Sequence, residues 1–219
     1  FKMGDWSAVE RKRIAAIGIL IIAASIFWSS FEQAGSTLNL FADRNTNNQI
    51  FGWEFPSSFF QSLNSFYLFG LGPLFATLWI RMGSKNPSSP VKFAGGLIFV
   101  GAGFLWLFLG AAQTTDGSLV SPVWLCGTYL LHTIGELLLS PVGLSTLTKL
   151  APARVAGFMM GVWFLSNSLG NYLGGRLGAL YQELPLTTLF GIVAATGILT
   201  GVFLLLFSKK ISRLMGGVR

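Results

Sequence analysis

The 219-residue chain is 52% hydrophobic and only 11% charged, with 20 Phe, 7 Trp and a mean hydropathy of +0.63. A soluble domain carries about a quarter charged residues, so an aqueous surface is excluded and the chain reads as a membrane protein. The net charge of +7 does not imply nucleic acid, because the basic residues are dispersed between apolar runs, and the single cysteine, Cys126, excludes a disulfide framework and a Cys/His metal site.

The opening "FKMGDWSAVERKR" lacks the apolar core and small-residue cleavage site of a signal peptide. It does not begin with Met, and the expectation is a piece of a longer protein, with residues 1–11 a cytoplasmic lead-in. A helix needs about 20 apolar residues to cross the hydrocarbon layer. Six stretches qualify, at 12–42, 55–80, 92–112, 122–149, 155–181 and 186–208, followed by a basic cytoplasmic tail at 209–219. The expected fold is therefore all-α, six transmembrane helices in one bundle with both ends on the same side. Of the 15 Lys and Arg residues, all but Arg44 and Arg176 fall on the side of the N-terminus, which the positive-inside rule makes cytoplasmic.

The first span carries "FWSSFEQAGSTLNLFA" at 27–42 and, within it, Glu32. Ser25, Ser29, Glu32, Ser36, Asn39 and Asp43 recur at steps of three or four and predict one polar helix face. In the second span, "LFGLGPLF" places Pro73 where it removes an amide donor and predicts a kink. The fourth span holds Glu136. Tyr129, His132, Thr133, Ser140 and Gly143 gather around it at helical spacing, and Pro141 with Gly143 predicts a second kink. At 1.5 Å per residue, Glu136 lies about 21 Å from either end of its span, and Glu32 about 28 Å beyond Arg13, near the outer boundary. A carboxylate in the apolar centre costs roughly 2.5–3.5 kcal/mol on insertion scales. Either polar stripe can be read as interhelical hydrogen bonding; the two glutamates at their foci favour a polar pathway. His132 alone reads as a hydrogen-bonded core residue.

The fifth span, "GFMMGVWFLSNSLGNYLGGRLGALY", sets Gly170, Gly174 and Gly178 four residues apart, a face that another backbone can approach closely. Its Trp163 and Asn167 fall near mid-membrane, where Trp163 is either an aromatic cavity wall or core packing. Each triplet of spans opens with the one holding an intramembrane glutamate, a pattern that suggests two inverted three-helix repeats. A membrane enzyme has no support, since no Ser/His/Asp set, metal cluster or phosphate-binding glycine loop is present.

Three stretches, "FWSSFEQAGSTLNLFA", "LLHTIGELLLSPVGLSTLTKLAP" and "GFMMGVWFLSNSLGNYLGG", together with "FQSLNSFYL" at 60–68, give the chain its resemblance to the proton-dependent oligopeptide transporter family of the major facilitator superfamily. The match is to the C-terminal six-helix half of that family, over essentially the whole chain. The resemblance implies a secondary active symporter that takes di- and tripeptides across the bacterial plasma membrane with protons as the coupling ion and no cofactor or metal. It further implies that Glu136 and Asn64 bind the peptide ammonium, that Trp163 lines the cavity with Asn167 and Ser140 nearby, and that Glu32 forms an outer gate with a cation of an N-terminal six-helix half supplied from outside this chain. Protonation of Glu32 would release that cation and open the gate. Two other readings stand: transport of another small solute such as nitrate, and a non-transporting structural membrane subunit.

Overall fold

Ser7 starts the first helix. Its hydroxyl accepts from the Glu10 N–H at 3.2 Å while the Glu10 carboxylate accepts from the Ser7 N–H at 2.9 Å, a reciprocal cap on two otherwise unpaired donors. The computed structural model describes residues 6–50, 52–114 and 116–218; residues 1–5 of the expected lead-in and Arg219 of the expected tail lie outside them. From the cap runs α1 (Ala8–Phe31), which buries Ala16, Leu20, Ala24 and Phe27 at helical spacing.

The expected single span 12–42 is in fact two helices. After Phe31 the chain tightens into a 3-10 turn at Glu32–Gly35 and restarts as α2 (Thr37–Arg44). Side chains compete with the helical ladder there: the Ser29 hydroxyl donates to the Ile26 carbonyl at 2.8 Å and the Gln33 amide to the Ser29 carbonyl at 3.2 Å. Gly35 and Ser36, both weak helix formers, follow, and Ser36 leaves helical geometry at φ −127°, ψ −90°. The polar stripe predicted along this span therefore loses its register. Ser25 and Ser29, its first two members, are buried and bonded to their own backbone.

A short antiparallel hairpin of β1 (Gln49–Ile50) and β2 (Trp53–Glu54) turns through Gly52 at φ +80°, in the left-handed region that glycine tolerates. Five long helices follow: α3 (Phe59–Met82), α4 (Ser89–Ala111), α5 (Val123–Leu150), α6 (Ala156–Ala179) and α7 (Leu186–Leu214). With α1–α2 they make six membrane-length segments. Five of them are long and apolar enough to cross a bilayer; α6 falls short because Ser166, Asn167, Ser168 and Asn171 interrupt it. The basic tail expected at 209–219 is largely a continuation of α7, because Ile211 and Met215 are buried on the bundle and keep the last turns attached.

Packing follows the two-repeat pattern. α1 packs on α6 as its counterpart α5 packs on α3, and the third helices of the repeats, α4 and α7, pack on each other. The predicted glycine face forms the α1–α6 seam: a Cβ on Gly170 would lie 2.4 Å from the Trp28 Cβ, and one on Gly174 would lie 2.8 Å from the Ser29 carbonyl oxygen. α4 is buried on one side along its whole length, whereas α3 buries only Phe60 and α6 only Trp163, Ser166, Gly170 and Gly174. These two equivalent helices are the least buried of the long helices.

Candidate functional site

The second turn of α3 meets the middle of α5 at a polar cluster. The Asn64 side-chain amide donates to Glu136 Oε2 at 2.9 Å and to Thr133 Oγ1 at 3.1 Å, which uses both of its N–H bonds. Thr133, one turn before Glu136, passes its own hydroxyl proton to the Tyr129 carbonyl at 2.8 Å. The Tyr129 hydroxyl reaches the Ala34 carbonyl at 3.5 Å, so the cluster also touches the 3-10 turn of the first span. Thr133 and Tyr129 are buried, while Asn64 and Glu136 are half-buried. A hydrogen bond to a charged group is worth about 1.5–3 kcal/mol net, which holds the Glu136 carboxylate in one orientation.

No cation faces that carboxylate: among the described residues the single ion pair is Glu10 with Arg154, at 3.0 Å on the far side of the bundle. Glu32 in the 3-10 turn is half-buried and has no hydrogen-bond or ion-pair partner among the described residues. Neither acidic side chain has a cation partner among the described residues.

The other expected residues divide. Ser140 is half-buried one turn beyond Glu136 on the same helix. Asn167, also half-buried, accepts from the Asn171 amide at 2.9 Å and is held on its own helix. Trp163 is not an open cavity wall; it is 5% exposed and packs edge-on against Phe93 at 6.4 Å. Gly143 explains why. A Cβ there would stand 2.2 Å from the Trp163 ring, so the missing side chain is the slot that receives the indole. α3 and α5 continue as α-helix on both sides of Pro73 and Pro141. His132 is buried against Phe104, with ring centres 4.9 Å apart, and lies over Gly103, a packing position. The sequence reading set Thr133 near Glu136 but not as the second acceptor for Asn64, and it missed Gln33, fully buried beside Glu32. The three-residue step from Thr133 to Glu136 was the available signal for the first.

The family is shown by similarity to known proteins. A family model described as POT family matches residues 6–198. The chain belongs to the POT family. It is 41% identical over 95% of its length to the uncharacterised transporter YclF of Bacillus subtilis, and 38% identical over 100% to the peptide transporter YePEPT of Yersinia enterocolitica. A di-/tripeptide transporter of Lactococcus lactis is 34% identical over 96% of the chain. The chain spans well under half of these POT-family relatives, 42%, 44% and 43% of their lengths. The crystal structure of a peptide transporter POT in complex with sulfate superposes with a TM-score of 0.92 at 37% identity, covering 99% of this chain and 44% of that one. That of a POT family transporter in complex with 5-aminolevulinic acid gives 0.89 at 32%, covering 96% and 44%. POT-family proteins are transporters, not enzymes, and this member is a multi-pass membrane protein.

Proposed function

We propose that the chain is the C-terminal half of a proton-coupled symporter that imports di- and tripeptides by alternating access, with Glu136 and Asn64 receiving the peptide ammonium. The observation that carries this reading is the oriented Glu136 carboxylate, fixed by Asn64 at 2.9 Å and left without a cation. A buried or half-buried anion without a counter-ion is costly, and a substrate ammonium supplies the missing charge. The ligand of one POT-family crystal structure, 5-aminolevulinic acid, carries an amine and no peptide bond, which favours the amine as the feature recognised.

In this scheme Glu32 pairs with a cation of an N-terminal six-helix half across the outer mouth, and its protonation by external protons releases the pair. Pro73 and Pro141 give α3 and α5 the flexible points for opening and closing, and Ser140 and Asn167 line the route. Both ends of the chain face the cytoplasm across the plasma membrane, as the concentration of Lys and Arg on one side supports. The decisive experiment is proton-driven dipeptide uptake by the intact transporter in proteoliposomes. Wild type transports, Glu136→Gln does not, and an N-acetylated dipeptide fails to compete. Normal uptake by Glu136→Gln or competition by the blocked peptide would remove the ammonium assignment.

A further inference from the structure

Where α3 ends and α4 begins, a cavity of about 370 Å³ opens on the side of the bundle richest in basic residues. Trp79, Asn86, Lys92, Pro141, Ser145 and Lys149 shape it. Two of the six are cations, and neither has a carboxylate partner among the described residues. Lys92 Nζ sits 4.1 Å from the centre of the Trp79 ring, which holds the ammonium in place from one side. Lys149 lines the same cavity. Two like charges turned toward one space repel unless an anion lies between them.

The rest of the wall suits an oxyanion. The Thr146 hydroxyl donates to Ser89 Oγ at 2.8 Å and ties α5 to the first turn of α4. Ser89, the first residue of α4, lies on the cavity lining, so the positive end of that helix contributes as well. The surroundings are apolar. α3 packs on α5 rather than on α4, and the turns around Trp79 expose Leu74, Leu78 and Ile80, the last at 80%. Trp79 itself is a residue type that prefers the membrane interface.

We propose that this cavity seats the phosphate of an anionic phospholipid, held between Lys92 and Lys149, with the acyl chains along the apolar surface of α3. The phosphate then lies against Pro141, on the same helix as Glu136. The lipid seat does not depend on which solute the protein carries.

Native mass spectrometry of the intact transporter reads this directly, with the detergent-purified protein titrated in separate arms with phosphatidylglycerol, phosphatidylcholine and inorganic phosphate. Phosphatidylglycerol stays bound to wild type and phosphatidylcholine does not. The pair Lys92→Gln and Lys149→Gln weakens retention about 25-fold, at about fivefold per cation near an anionic lipid. The pair Lys92→Arg and Lys149→Arg keeps it, as does Lys209→Gln with Lys210→Gln, which removes equal charge outside the cavity. If the double Gln variant does not fold, the exposed Lys149→Gln alone carries the test with a fivefold loss. Equal retention of the two lipids, or no loss in the Gln variants, overturns the proposal. Inorganic phosphate binding as tightly with the same lysine dependence overturns the lipid assignment in favour of the free ion.

Discussion

The Asn64 amide lies 2.9 Å from the Glu136 carboxylate, bridging α3 and α5 across 72 residues of sequence. The Glu136 carboxylate is therefore already oriented in the free protein, as the proposed ammonium site requires. Substituting Asn64→Ala removes the donor and leaves Glu136 free to turn, so dipeptide affinity of the intact transporter falls about tenfold or more, the equivalent of one charge-assisted hydrogen bond. Asn64→Asp, which sets a second anion against Glu136, costs more than Asn64→Ala. Isothermal titration of the two variants checks the order; equal affinities for Asn64→Ala and wild type would detach Asn64 from recognition.

The slot that Gly143 leaves for Trp163 predicts a paired rescue. Gly143→Val forces the indole out, since even a single carbon there would approach it to 2.2 Å, and overpacking of this kind costs about 1–3 kcal/mol. Adding Trp163→Leu recovers part of the loss, because the obstructing ring is gone. Thermal unfolding of the two single variants and the double variant gives the coupling; strict additivity would show that the residues do not meet.

Along α6, neighbouring glycines should respond in opposite ways. Gly174→Leu drives a side chain into the Ser29 carbonyl of α1 and lowers the unfolding temperature. Gly175→Ala, with nothing within 4 Å of the new carbon, is neutral or raises it through helix propensity. A loss at Gly175 equal to that at Gly174 would show that the seam is not where the glycines meet α1.

Glu32→Gln tests the gate. A residue that cannot lose its proton cannot hold a cation, so uptake by the intact transporter in proteoliposomes loses its dependence on external pH. A pH profile unchanged from wild type would leave Glu32 a structural group only.

Glu10 lies ahead of the apolar run of α1, and the hydrogen bond its carboxylate accepts from the Ser7 backbone N–H holds its carboxyl below the ordinary value of 4.5, with Arg154 and Arg13 adding to the effect. The sign follows from linkage: a depressed carboxyl stabilises the folded state above its unfolded value, and that contribution is lost as pH falls through the folded one. Glu10→Gln therefore lowers the unfolding temperature at neutral pH, and the gap to wild type closes below about pH 4. A gap that stays constant with pH would assign the effect to the helix start alone.

The six-segment architecture was legible because membrane insertion imposes apolar runs of about 20 residues, and the α1–α6 seam because Gly170, Gly174 and Gly178 recur with the helical period. Periodicity describes one helix at a time. It placed Glu136 beside Thr133, but the partner on α3 came only from the family resemblance. The break at Glu32–Ser36 was hidden because the Ser29 and Gln33 side chains that compete for backbone carbonyls leave no periodic trace. The sequence left Trp163 between cavity wall and core packing for a similar reason: its burial depends on an absent side chain twenty residues earlier, on a different helix.

At the α1–α6 seam, backbone lies on backbone at Trp28–Ser29 and Gly170–Gly174, without the layer of adjustable rotamers that lets packed helices slide. Such a contact behaves as a weld. During any rocking of the bundle, α1 and α6 travel as a single beam and carry Glu32 and Asn167 with them in fixed register. In the proposed transport cycle the compliance is then left to α3, in which a Cβ added at Gly70 or Gly72 would meet no neighbouring atom within 4 Å.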